Sequence, residues 1–169
     1  GGRWSERARL AAAGGADGDR LGQAVALRGG VLLAGAPGRE GGRGNVLAFG
    51  RGRNAGEWTA RGAIQGTSTG AGDWFGASVA YDGQRALVGA PGAWTGDSTG
   101  WKPGQAFVFL AGRGGKWTEE GRLAPPTDDR HASLGVAVLL DGAEALVGAP
   151  RADSAAGAVV RYRREGGAW

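Results

Sequence analysis

Apolar and polar positions alternate with a period of two over three short stretches, each opening on tryptophan. In the first, Trp4, Glu6, Ala8 and Leu10 alternate with Ser5, Arg7 and Arg9. In the second, Trp58, Ala60, Gly62 and Ile64 alternate with Thr59, Arg61 and Ala63. In the third, Trp117, Glu119, Gly121 and Leu123 alternate with Thr118, Glu120 and Arg122. One face is mostly apolar or small and the other mostly polar, which predicts a strand packed on one side. Tryptophans at a fixed period can stack on sugar rings or bases, but at the head of such a strand they read as core residues.

After a loop, each stretch continues into a hairpin. The middle copy is the clearest: Gly76-Ala77-Ser78-Val79-Ala80-Tyr81, a turn at Asp82-Gly83, then Arg85-Ala86-Leu87-Val88 closing on Gly89-Ala90-Pro91. Asp-Gly tolerates the positive φ angles of a tight hairpin, and proline, lacking an N–H, ends the ladder. The same hairpin runs from Leu21-Gly22 to Gly35-Ala36-Pro37 and from Leu134-Gly135 to Gly148-Ala149-Pro150. The two marker glycines are 13 residues apart each time (22 to 35, 76 to 89, 135 to 148). A last apolar run follows at 45–49, 105–109 and 158–162.

Gly-x-x-Trp confirms the period, with tryptophan at 4, 58, 117 and 169, spacings of 54, 59 and 52 residues. Three repeats, approximately 4–57, 58–116 and 117–169, fill the chain as a single domain unit. No helical period is visible. Four short strands in units of this length predict an all-β propeller of four-stranded blades, three blades to the chain.

Composition adjusts this picture only slightly. The 37 glycines fall at fixed places in the repeat, which argues for turns and against disorder. The net charge of +4 is carried almost wholly by arginine, Lys102 and Lys116 being the only lysines. The arginines are spread over every repeat with no basic stripe, so a solvated surface is expected and no nucleic-acid partner. Cysteine is absent, which excludes disulfides and thiolate chemistry. No apolar run is long enough for a membrane-spanning helix, so no membrane insertion is expected. The start at Gly1-Gly2 reads as a processed or excised piece.

The units resemble the FG-GAP repeat of the integrin α-subunit β-propeller, in its bacterial form. The middle repeat carries the signature almost whole: Trp58 to Ile64, Asp73-Trp74-Phe75-Gly76-Ala77-Ser78-Val79-Ala80, then Ala86-Leu87-Val88-Gly89-Ala90-Pro91. The outer repeats read Leu-Gly for Phe-Gly. The resemblance implies a non-enzymatic recognition or adhesion module in a secreted or cell-surface setting, binding a protein or carbohydrate on one propeller face. A repeat scaffold with no dedicated ligand is the alternative. Integrin-type blades often carry a calcium loop within the hairpin. Here that connection is only Arg28-Gly29-Gly30, Asp82-Gly83-Gln84 or Asp141-Gly142-Ala143. Calcium takes six to eight oxygen ligands, so no such metal site and no cofactor is expected. Asp17 and Asp19, flanking Gly18, fit loop geometry better than a cation site.

Propellers have four to eight blades, and repeat units need neighbours to bury their cores. Three blades therefore predict either a fragment of a longer propeller or a homo-oligomer, with a dimer of six blades favoured and an N-terminal strand exchanged between copies. The loops before the first hairpin strand and those after GAP should share one face. Trp74, Trp94 and Trp101, with Asp73 and Asp97, are the candidate ligand-binding residues there: rings that stack on sugar faces beside carboxylates that bond hydroxyls. His131, the only histidine, lies near Asp128, Asp129 and Ser133, but one loop segment seldom builds a triad. No catalytic motif is present, and a propeller hydrolase or lyase is disfavoured.

Overall fold

The computed structural model describes residues 2–52, 57–93, 103–125 and 132–169. Eleven strands form three antiparallel sheets, each built by consecutive strands in chain order. The first sheet holds β1 (Val25–Arg28), β2 (Val31–Ala36), β3 (Asn45–Arg51) and β4 (Trp58–Ile64). The second holds β5 (Ser78–Tyr81), β6 (Arg85–Ala90), β7 (Gln105–Ala111) and β8 (Trp117–Leu123). The third has three strands, β9 (Val138–Asp141), β10 (Glu144–Ala149) and β11 (Ala158–Arg163). The first strands of the sheets, β1, β5 and β9, lie next to one another, so the sheets stack face to face as blades. The set does not close on itself.

Two expectations need correction. Each Trp-led strand does not open its own blade but closes the one before: β4 pairs with β3, and β8 with β7. Residues 2–10, the first such stretch, form no strand, and Trp4 is fully exposed. The third sheet accordingly lacks a fourth strand among the described residues. Sequence repeat and structural blade are thus out of phase by one strand.

The second correction concerns the alternation. The ladder shifts between Ala48 and Phe49, and again between Val108 and Phe109, so Arg61 and Glu120 are extra residues in their strands. A bulge transfers the following side chains to the opposite face. Trp117 therefore packs towards the first blade, while Leu123 from the same strand packs towards the third. A strict period of two cannot show this, because one inserted residue reverses it.

The core lies between blades. Leu33, Val46 and Ile64 of the first meet Val88, Phe107 and Phe109 of the second, with Phe75 wedged between them. Phe75 meets Phe107 and Phe109 edge-on, with ring centroids 5.5 and 5.8 Å apart. The second junction packs Leu87, Val108 and Leu123 on Leu134, Ala145 and Val147. Its far end is polar: Arg85 Nε donates to Glu120 Oε2 at 2.6 Å, with Arg164 beside the same carboxylate.

The blades approach so closely that only glycine fits at Gly35 and Gly89. A Cβ on Gly35 would overlap the Gly76 carbonyl of the next blade, and one on Gly89 the Gly135 carbonyl. Ser78 Oγ donates to that same Gly135 oxygen at 2.7 Å. Gly89→Ala should therefore cost about 2–4 kcal/mol, as overpacking against backbone cannot relax by a rotamer change. Gly70→Ala, facing open space, should cost well under 1 kcal/mol. Urea unfolding measures both.

The Arg85 hydrogen bond holds the Glu120 carboxyl below its ordinary value of 4.5, against the opposing effect of its burial. A lowered folded value means that the pair stabilises fully above the unfolded carboxylate value and loses this as pH falls through the folded one. Glu120→Gln should thus be less stable than wild type at pH 7, and the difference should shrink below pH ~4. Thermal midpoints across pH check this.

Candidate functional site

Three backbone latches build the GAP end of the molecule. The N–H of the residue after each GAP proline (Gly38, Gly92, Arg151) donates to the carbonyl three residues before the marker glycine: Asp19, Asp73 and Ala132, at 3.2, 3.1 and 3.2 Å. The loops before the hairpins and those after GAP therefore share one end. In the first two loops the aspartate also closes its own turn: Asp19 Oδ2 accepts from Ala16 N at 3.1 Å, and Asp73 Oδ2 from Gly70 N at 2.8 Å. Asp73 is buried. Its carboxylate is engaged in shaping the loop rather than displayed to solvent.

The next residue of each loop is forced into left-handed backbone: Arg20 at φ 57°, Trp74 at φ 56° and Ser133 at φ 51°. Such a conformation costs of order 1–3 kcal/mol in a non-glycine residue and persists only where surroundings impose it. Arg20 adopts it with no blade before it, so the loop's own turn and latch set it: Gln23 N donates to Arg20 O, and Ala77 N to Trp74 O. The preceding blade adds further bonds at Trp74. Trp74 N donates to Gly42 O at 2.7 Å and Phe75 N to Arg43 O at 3.2 Å. The strain turns the Trp74 side chain out of the core that Phe75 enters. Its ring edge lies over Gly42, and it remains 50% exposed.

Trp74 lines a cavity of about 240 Å³ with Arg20, Gln23, Pro37, Pro91 and Val136. These are repeat-equivalent positions: the residue before each Phe/Leu-Gly, the residue after it, and the GAP proline. The cavity therefore sits where the inner ends of the blades converge. It offers an aromatic edge, apolar ring surfaces and two long polar side chains. Of the five candidate residues, the structure places Trp74 at this cavity, while Asp73 is buried and does not line it. Trp94, Asp97 and Trp101 lie outside the described residues, as does His131.

A second cavity, of about 400 Å³, opens at the opposite end between the first two blades. Arg51, Arg61, Tyr81 and Trp117 line it, and the Trp117 indole N–H is buried without a hydrogen-bond acceptor among the described residues. Sequence reading missed it because it forms at a junction between repeats. Among the described residues no three His, Asp or Glu side chains converge as metal ligands, and no helix is long and apolar enough to cross a membrane.

Comparison with known proteins agrees with this geometry. The FG-GAP repeat family matches residues 4–49 and 58–109, more than half of the chain. The protein belongs to the FG-GAP repeat family, which is generally non-enzymatic and typically extracellular. No curated protein matches the sequence. Among solved structures, Sqt1 from Saccharomyces cerevisiae superposes with a TM-score of 0.52 at 9% identity, over 89% of this chain and 33% of that one. The chain thus spans about a third of its length. This likeness supports a propeller-like fold and nothing about ligands.

Asp73→Ala should lose the Gly70 bond and destabilise by about 1–2 kcal/mol, with the larger effect confined to the second blade. Denaturant unfolding gives the magnitude, and amide exchange its location.

Proposed function

We propose that the protein is a non-enzymatic recognition module that binds a protein or carbohydrate partner at the GAP end. The carrying observation is Trp74: a half-exposed indole held in strained backbone at the rim of a cavity, rather than tucked away. Its ring supplies the apolar surface on which a sugar ring or a peptide side chain stacks, while Arg20 and Gln23 supply hydrogen-bond donors. The Arg20 guanidinium favours a ligand bearing a carboxylate, such as an acidic sugar or an acidic side chain. Family membership supports an adhesion-type role and a secreted or cell-surface setting.

A scaffold role without ligand is the second reading, favoured by the uncovered apolar faces at both ends of the stack. Glycan and peptide arrays separate the two. The module reading expects a hit whose affinity falls at least tenfold in Trp74→Ala and Arg20→Ala, both of which keep the fold. Arrays without signal, or a hit indifferent to both substitutions, would overturn it.

A further inference from the structure

The two junctions between blades follow one plan and differ most at the end opposite GAP, where the hairpin turns lie. At the second junction that end is closed by charge. Arg85, at the start of β6, donates to Glu120, and Arg164 of the third blade stands 3.7 Å from the same carboxylate. Glu120 is the inserted residue of β8, and the side chains of Arg85 and Glu120 are only 13% and 16% exposed. Leu110 stands opposite Arg85 in the ladder, on the same face.

At the first junction all four positions change. Val31 takes the place of Arg85, Gly50 that of Leu110, and Ala111 that of Arg164. Arg61, the inserted residue of β4, takes that of Glu120. The central charge is thus reversed, and apolar residues replace both cations that flank it. The space left is the cavity of about 400 Å³, which all four of these residues line. Among the described residues no acidic side chain lines it. Tyr81 and Trp117, edge-on with ring centroids 5.8 Å apart, give it an aromatic wall. At its rim Arg51 stacks on Trp58, the guanidinium carbon 5.7 Å from the ring centroid.

We propose that this cavity binds a small organic carboxylate with a flat, apolar body. Arg61 takes the carboxylate on the forked N–H edge of its guanidinium. The ligand thereby completes at the first junction the ion pair that Arg85 and Glu120 complete at the second. Arg51 adds donors from the rim, since a guanidinium stacked on a ring keeps its in-plane N–H groups. The body of the ligand lies against Val31 and the rings of Tyr81 and Trp117, in the room that Gly50 leaves. The volume falls within the range of about 300–1,000 Å³ usual for small-molecule sites. This site is at the opposite end from Trp74 and is independent of the reading given for the GAP end.

Calorimetric titration with 2-naphthoate, its neutral amide and inorganic phosphate tests it. Naphthoate should bind saturably with a Kd below ~1 mM, and about tenfold or more tightly than either control. In heteronuclear NMR it should shift the Trp117 indole N–H signal and leave that of Trp74 in place. Arg61→Ala should weaken binding about tenfold or more. Gly50→Leu gives the first junction the residue of the second and should abolish binding by filling the cavity. The nearest neighbours of a Cβ there are atoms of the movable Arg61 side chain, so the variant should keep its circular dichroism. Equal affinity for naphthoate and either control, binding that survives both substitutions, shifts centred on Trp74, or no saturable binding below ~1 mM would overturn the proposal.

Discussion

The close approach of backbone to backbone between blades governs the rest of this structure. Where Gly35 meets the Gly76 carbonyl and Gly89 the Gly135 carbonyl, no side chain fits. That approach sets the spacing at which Phe75 fills the first junction and Leu134 the second. It also fixes the loops behind. The parallel bridges from Gly44 to Phe75 and Gly104 to Leu134 dock those two loops on the blade before.

A repeat protein of this kind draws its stability from neighbours. Each sheet here buries its apolar faces only where a neighbouring sheet packs on them. The middle blade is buried on both faces, and Ala86, Leu87, Val88, Phe107 and Val108 are all fully buried. The outer blades each leave one apolar face to be covered.

Much of the fold was legible because the repeat writes it three times. Hairpin, GAP stop and last strand follow from turn chemistry and from proline, and apart from residues 4–10, which form no strand, the strands fall where the alternation places them. The phase of the blade was not legible. A Trp-led strand beside a Gly/Arg-rich turn gives no sign of whether it belongs to the hairpin after it or the strand before it. The bulges at Arg61 and Glu120 were hidden for a related reason, since an inserted residue looks like ordinary alternation until the partner strand is known. Of the candidate site, Trp74 was found from its place in the loop. Arg20, Gln23 and Val136 were not, because they converge only through the pseudo-symmetry of three loops distant in sequence.

The dependence of each blade on its neighbours is tested most directly by amide hydrogen exchange residue by residue, on a dilute sample held as monomer. The amides of β6 and β7, in the blade covered on both faces, should open only with global unfolding and share one free energy. Those of β10 and β11, covered on one face, should exchange through a smaller, partial opening. Equal protection of β11 and β7 in the monomer would contradict the account, and would mean that a blade is held by its own sheet rather than by the one beside it.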